Sequence, residues 1–361
     1  MSDESLYDFV SSVAGDRYLR VEQDLGDGFV RLKVGEAERR QARDDIRCVE
    51  DAVIELLRNA RDAGATHIYL ASSREGQMRT ITVIDDASGV PERMRELIFE
   101  PRVTSKLETM SEDAWGVHGR GMALYSIRTN AEQAKLAATG SGLGSSFSVT
   151  FDLEKVPEKA DQATAPQVER TDEGGYHVVR GPHNVLRQAV EFSLESPHLD
   201  LYLGSPNEIL ATLLERCRAE SDPKTLKGCK DPAALPLWQR PGAARDVGEL
   251  IRYAASIGLA ISERSAHRIA SGRVRPLRPV LSRMVRSRSS QVPDGASGGI
   301  DLVRDRRGLS IASEDLADFK QALAQAFSII GERYYVTLAD EPAVTVAGDK
   351  IRVRFDFEKE L

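Results

Sequence analysis

The sequence predicts an α+β chain. Its first half builds one mixed sheet with helices on one face, and its second half is a mixed α/β region with a helical segment. Three observations predict this. Strand-like and helix-like stretches alternate irregularly between residues 17 and 153, unlike the repeat of a doubly wound sheet. An apolar stripe runs through Ile46, Val49, Val53, Leu56, Leu57, Ala60 and Ala63 at the 3–4 spacing of one helix face. His67–Ala71 and Thr80–Asp85 are apolar-rich runs bounded by polar turns.

The elements follow in order. Residues 17–34 read as two short strands around Gly26-Asp27-Gly28. One long helix is expected from Glu36 to Asp62, stopped by Gly64. The strands 67–71 and 80–85 are joined by the turn SSREGQM. A short helix is expected at Pro91–Phe99, with proline where its missing N–H costs nothing. Residues 100–121, rich in glycine, serine and charge, read as a mobile loop, followed by a helix at Met122–Thr129 and strands at Ala134–Thr139 and Ser146–Leu153. This gives a first domain over 1–153. Residues 154–172, polar and with two prolines, read as a linker. A further α/β domain is expected over 173–243, with strands at Tyr176 and at LDLYLG, helices at Asn184–Ser196 and Pro206–Ala219, and a loop over 221–243. A basic helical segment over 244–290 contains a helical pair within 245–275, and residues 283–300 read as flexible. The region 301–361 carries a helix from Glu314 to Glu332 and then strands, the last two joined by the AGDK turn.

Composition limits the classes. Acidic residues exceed basic ones by 56 to 49, a net charge of −7, so the chain as a whole is no general polyanion binder. Cys48, Cys217 and Cys229 are too few and too scattered for a disulfide framework or a zinc site, and read as reduced structural thiols of a cytoplasmic protein. No apolar run is long enough for a membrane span, and MSDESLYDF lacks the apolar core of a secretion signal.

The chemistry concentrates between residues 55 and 149. Glu55, Asn59 and Asp62 are spaced four and three apart, so they form one polar stripe beside the apolar helix face. An amide oxygen there suits a hard Mg²⁺, and a carboxylate one turn away can orient or deprotonate water. The strand Thr80–Ile84 ends in Asp85-Asp86-Ala87-Ser88-Gly89, an acid followed by small residues that let a flat ligand approach the backbone. Gly116-Val117-His118-Gly119-Arg120-Gly121 leads into a helix, where exposed N–H groups and the helix dipole favour phosphate. Gly142-Leu143-Gly144-Ser145-Ser146-Phe147 precedes a strand.

Taken in order, these segments resemble the GHKL ATPase superfamily of gyrase B, heat-shock chaperone, histidine kinase and MutL, with its Bergerat ATP-binding fold. ELLRNARDAGAT (55–66) is similar to the N-box of MutL-type proteins. RELIFEPRVTSK (95–106) resembles the entry to the ATP lid, GRGMALYSI (119–127) the kinase glycine box with Met122 at its helix start, and GLGSSFSV the final glycine-and-hydroxyl motif. The resemblance covers less than half of the chain. It implies ATP and Mg as ligands. By that resemblance Glu55 is the general base and Asn59 holds Mg²⁺. Asp85 hydrogen-bonds the adenine amino group, with Ser145 assisting through water, and Gly89 lets the base pack on backbone. Gly116, Gly119 and Gly121 wrap the phosphates, and Thr104, Ser105 and Lys106 sit in the lid. Lys106 and Arg120 read on their own as solvated lid charges, and His118 as a surface residue. The sequence departs from the family pattern at Ala87, where glycine is usual; a methyl group there would crowd the adenine or strain the backbone if φ were positive.

Three activities stay open within such a superfamily. One is a slow ATPase whose lid closure and homodimerisation move an effector region, on DNA or a protein partner. The second is a kinase of the histidine-kinase or anti-sigma type acting in trans, since no histidine lies upstream of Glu55 in this sequence. The third is a nucleotide-binding switch with negligible turnover. The DAGA extension of the N-box and the large C-terminal half favour the first. Between Arg264 and Arg288 there are eight arginines and no acid, a local excess suited to nucleic-acid phosphates. The preceding AASIGLAISERSAHRIASG loosely resembles a helix-turn-helix with a turn about two residues too long.

Overall fold

A computed structural model of the chain describes residues 21–105, 111–113, 115–118, 121–159, 161–171, 175–289, 313–334, 336–347 and 350–359. The chain divides into two compact units, one up to Ser290 and one from Gln291.

The first unit opens with β1 (Val21–Gly26) and β2 (Phe29–Leu32), an antiparallel pair that β5 (Val103–Thr104) extends to three strands. The helix expected over 36–62 is two helices, α1 (Glu36–Asp44) and α2 (Val49–Asp62). The break has a local cause. Asp51 accepts from the backbone N–H of Arg47 (3.0 Å) and Cys48 (3.3 Å), which starts a new helix at Cys48. Then come β3 (His67–Glu75) and β4 (Met78–Asp85), joined by a turn of only Gly76-Gln77, so the expected turn SSREGQM is mostly strand. The expected helix at 91–99 is two short 3₁₀ turns, Glu92–Met94 and Leu97–Phe99. Within the expected loop lie β6 (Ser111–Asp113) and β7 (Gly116–His118). α3 (Ala123–Asn130), β8 (Gln133–Gly140) and β9 (Gly144–Asp152) follow as expected.

The main sheet has five strands in the order β12-β3-β4-β9-β8, with β12 (Asp200–Gly204) parallel to β3 and the other pairs antiparallel. One cross-strand row, Leu70-Val83-Phe147-Leu136, lies in the core shared with α2 and α4 (Val185–Glu195). The neighbouring row, Tyr69-Ile84-Ser146-Ala138, faces the other way. That second face is also covered. α5 (Pro206–Glu220), a 3₁₀ stretch at Leu237–Ala243, α7 (Val247–Ser256) and α8 (Glu263–Ala270) bury Ile209, Leu213, Leu237, Ala254 and Ile269 with Tyr69 and Ile84. The helices of the first 153 residues lie on one face, as expected, and the second layer is added by residues 206–270; strands such as HIYLA are apolar at both parities because both faces are buried. Polar ties fix the second layer. Ser146 Oγ donates to the Ile257 carbonyl at 2.7 Å, Thr82 Oγ1 to that of Gly258 at 3.2 Å, and the Leu237 N–H to that of Leu143 at 2.9 Å.

Residues 154–159 and 161–171 are packed, in contrast to the linker expected over 154–172. Val156 and Val168 are buried, and β10 (Gln167–Arg170) pairs with β11 (Tyr176–Arg180). Fully buried Glu50 of α2 accepts from the Lys159 N–H (2.9 Å) and Gln162 Nε2 (2.6 Å), which straps the segment down. Residues 176–289 contribute to this same unit, and the expected loop over 221–243 includes α6 (Pro223–Gly228) and the 3₁₀ stretch. α9 (Val280–Ser289) occupies the start of the segment expected to be flexible; residues 290–300 lie outside the described residues.

The second unit holds α10 (Ser313–Tyr334), the pair β13 (Val336–Leu338) with β16 (Phe357–Lys359), and the hairpin β14 (Ala343–Ala347) with β15 (Lys350–Arg354). Phe327 of α10 stacks on Phe355 with ring centroids 5.2 Å apart. No helix among the described residues is long and apolar enough to cross a membrane.

Candidate functional site

A cavity of about 950 Å³ opens on the α2 side of the sheet. Ten of the residues singled out from sequence line it: Glu55, Asn59, Asp62, Asp85, Gly89, Thr104, Ser105, Gly121, Met122 and Ser145. Gly116 lies on β7, paired with Asp113. Lys106, Gly119 and Arg120 lie outside the described residues.

Asp85 stands at the end of β4, where the strand pairs with Ser145 of β9. It is 3% exposed, and its Oδ1 accepts from the backbone N–H of Ala87 (3.0 Å) and Ser145 (3.1 Å). Burial raises its pKa to about 7, against the two N–H bonds that favour the charged form. Both bonds go to one oxygen, so the other can meet a ligand donor. Gly89 makes this corner close-packed. Its φ is +71°, and a Cβ there would lie 2.0 Å from the Gly140 carbonyl oxygen. Ala87 does not adopt a positive φ, and its methyl is buried in the core under α2. The backbone strain expected at this position is absent, and Ala87 is not among the residues that line the cavity.

The stripe on α2 forms another wall. Glu55 is bonded to Arg58 Nη1 at 2.5 Å. Arg58 is itself buried, and its Nε donates to Asp113 Oδ2 of β6 at 2.9 Å, with Arg61 Nη2 on the same oxygen at 3.2 Å. Burial alone would lower the Arg58 pKa, but Asp113 and Glu55 hold it above its ordinary value. Burial likewise opposes the charge on Asp113, and the hydrogen bonds from Arg58 prevail and lower its pKa. Asp62 lies 3.3 Å from Arg61 Nε. Asn59 differs from its neighbours: its Nδ2 is buried and has no hydrogen-bond partner. A buried amide end without a partner costs free energy unless a ligand or water takes it. Among the described residues no group of three or more His, Cys, Asp or Glu could hold a metal. A cation with few protein ligands and several from phosphate and water fits this donor set better than a resident metal, which is how Mg²⁺ usually binds.

Two groups were missed from sequence. Arg102 lines the cavity at a φ of +61°. Asp86, next to Asp85, is turned away from the cavity. It accepts from the His67 N–H (2.8 Å), the Thr66 N–H (2.8 Å) and Arg216 Nη1 of α5 (3.0 Å). Burial alone would raise its pKa, yet the hydrogen bonds from His67 and Thr66 hold it well below the usual carboxylate range. Arg216 also stacks over Trp238 at 4.2 Å from the ring centroid. A lone arginine more than a hundred residues downstream gives no sequence signal for such a pair.

The buried thiols are unreactive by position: burial pushes Cys48 up to about 12 and Cys217 to about 11.

Comparison with known proteins bears on the same region. Residues 46–178 match the family model described as histidine kinase-, DNA gyrase B-, and HSP90-like ATPase. The DNA mismatch repair protein MutL of Thermus aquaticus is 32% identical over 165 residues, which is 43% of this chain and 29% of that protein. MutL of Staphylococcus aureus (strain Newman) is 35% identical over 122 residues, 32% of this chain and 18% of that protein. The chain thus spans less than a third of the length of these curated relatives. Among solved structures, the mycobacterial sensor histidine kinase MprB aligns at 15% identity over 34% of this chain and 74% of that one, with a TM-score of 0.20.

Proposed function

On the premise that residues 46–178 belong to the histidine kinase-, DNA gyrase B- and HSP90-like ATPase family, we propose that this chain binds Mg-ATP in the 950 Å³ cavity and hydrolyses it slowly. The observation that carries the reading is the convergence of Glu55, Asn59, Asp85, Gly89, Thr104, Gly121 and Ser145 on that one cavity. Asp85 accepts the adenine amino group and the backbone at Gly89 receives the ring. The Asn59 amide oxygen takes one position on Mg²⁺, which neutralises phosphate charge when bound. Glu55 orients and deprotonates the attacking water. Its ion pair with Arg58 at 2.5 Å fixes the carboxylate from one turn along the same helix. The segment 100–121 closes over the phosphates, and closure favours a homodimer.

The test is the fate of γ-labelled ATP phosphate with wild type and Glu55→Ala. Free phosphate from wild type alone supports the ATPase. Label on this chain or an added partner protein favours a kinase acting in trans, and bound ATP without turnover favours a switch.

One observation favours DNA as the effector surface. Arg264, Arg268, Arg273 and Arg278 are exposed, whereas Ala266 and Ile269 of α8 are buried. The Arg286 and Arg288 side chains lie outside the described residues. Duplex DNA should bind with an affinity that falls steeply with salt, and alanine at these four arginines should flatten that slope. A chain that ignores duplex DNA at low salt has no such role.

A further inference from the structure

We propose that Arg102 binds a phosphate oxygen of the nucleoside triphosphate, and that Glu38 of α1 is the partner it exchanges for that phosphate. The inference rests on the reading of the cavity as a nucleotide site and assigns a residue to it that the motifs do not.

Place is the first argument. Arg102 lines the cavity beside Thr104 and Ser105, and its backbone N–H donates to the Gly121 carbonyl at 2.8 Å. This wall is distinct from the corner built by Asp85, Gly89 and Ser145. Conformation is the second. Arg102 holds a φ of +61°, a region that long side chains rarely adopt. Glycine would sit there without strain, so the arginine holds this conformation at a cost, and strain of this kind concentrates at ligand-binding positions. The guanidinium is the third. Its Nη2 is paired with Glu38, while its Nε is buried and has no partner. An anion with two oxygens in the guanidinium plane satisfies both donors, which Glu38 does not. Glu38 also accepts from the Gly35 N–H at 3.1 Å, so it retains a role in capping α1 after giving up the arginine. Arg58, the other guanidinium among the described residues on the cavity wall, is already engaged by Glu55 and Asp113.

The experiment is calorimetric titration of the full chain with adenosine, ADP and ATP in the presence of Mg²⁺. Variants are Arg102→Gly, Arg102→Lys and Glu38→Gln. Arg102→Gly relieves the backbone, so its melting temperature should stay within a few degrees of wild type. Its ATP affinity should drop about ten- to hundredfold, the range for a hydrogen bond to a charged group, with adenosine affinity unchanged. Arg102→Lys should restore part of the loss, and Glu38→Gln should leave ATP binding as tight or tighter. ATP binding by Arg102→Gly within twofold of wild type overturns the proposal. So does an equal loss of adenosine and ATP, or a loss in Glu38→Gln that matches Arg102→Gly. A wild-type chain that binds neither adenosine nor ATP overturns the nucleotide reading itself, and this inference with it.

Discussion

Arg58 Nε lies 2.9 Å from Asp113 Oδ2, so the helix that carries Glu55 and Asn59 is tied directly to β6 in the segment before the glycine loop. Both side chains are nearly buried, at 4% and 9% exposure. Arg58 therefore does two things: it restrains Glu55 and it anchors β6. Asp113→Asn keeps the shape and removes the charge, leaving Arg58 with Glu55 as its strong partner. The expected cost is about 2 kcal/mol, below the roughly 3–5 kcal/mol of a buried pair broken outright, because Glu55 still compensates Arg58. Urea unfolding of the variant measures it, and an unchanged midpoint would show that the tie is weak. Because β6 is released, proteolysis around Asp113 should also quicken.

The corner around Asp85 predicts a contrast between two glycines. Gly89→Ala forces a Cβ to within 2.0 Å of the Gly140 carbonyl, with no flexible side chain to yield. Gly142 has a similar φ of +74° but nothing within 4 Å of an added Cβ. Gly142→Ala should cost about 1 kcal/mol, the price of the backbone conformation alone. Gly89→Ala should cost several times more and abolish adenosine binding. Equal melting temperatures for the two variants would mean that the corner is looser than its geometry.

Asp85 sets a pH dependence. Its folded pKa, about 7, lies above the ordinary carboxylate value of 3.8, so the folded state binds more protons than the unfolded state between those values. The contribution of this group to stability is thus greatest at low pH and declines as pH rises from about 4 to 7. Asp85→Asn should flatten that part of the stability curve measured by denaturant titration. Ligand binding runs the other way. The charged carboxylate is the better acceptor for an amino group, so adenosine affinity should rise between pH 6 and pH 8. An affinity independent of pH over that range would place the adenine elsewhere.

Arg216 ties α5 of the second layer to the sheet through Asp86 (3.0 Å) and the Tyr69 hydroxyl (3.1 Å). Arg216→Ala strips Asp86 of its cation and Trp238 of its stacking partner. A loss of about 3 kcal/mol is expected from a pair this deeply placed. Since Asp86 follows Asp85 in the chain, adenosine affinity should fall as well; stability loss with intact adenosine binding would confine the network to a structural role.

The sequence by itself determined the local pieces: the stripe Glu55-Asn59-Asp62, Asp85 at a strand end, and the glycines at 89, 121 and 144. Each is legible because helical spacing, strand alternation and turn chemistry act over a few residues. Chain order alone then placed them near the family pattern. What tertiary structure decided involves partners far apart in sequence. The break between α1 and α2 needed Asp51 to cap from inside a continuous apolar stripe. The strap at 154–172 looked like a linker because its anchors lie outside it: Glu50, and Asn184, whose Nδ2 donates to the Asp161 and Thr164 carbonyls at 2.7 and 2.8 Å. The second helical layer was hidden because strands buried on both faces lose the alternation that reports a single buried side. Arg58, Arg102 and Arg216 were unreadable for a common reason. A charged side chain is assumed solvated until its counter-charge is located, and Asp113, Glu38 and Asp86 lie 55, 64 and 130 residues away.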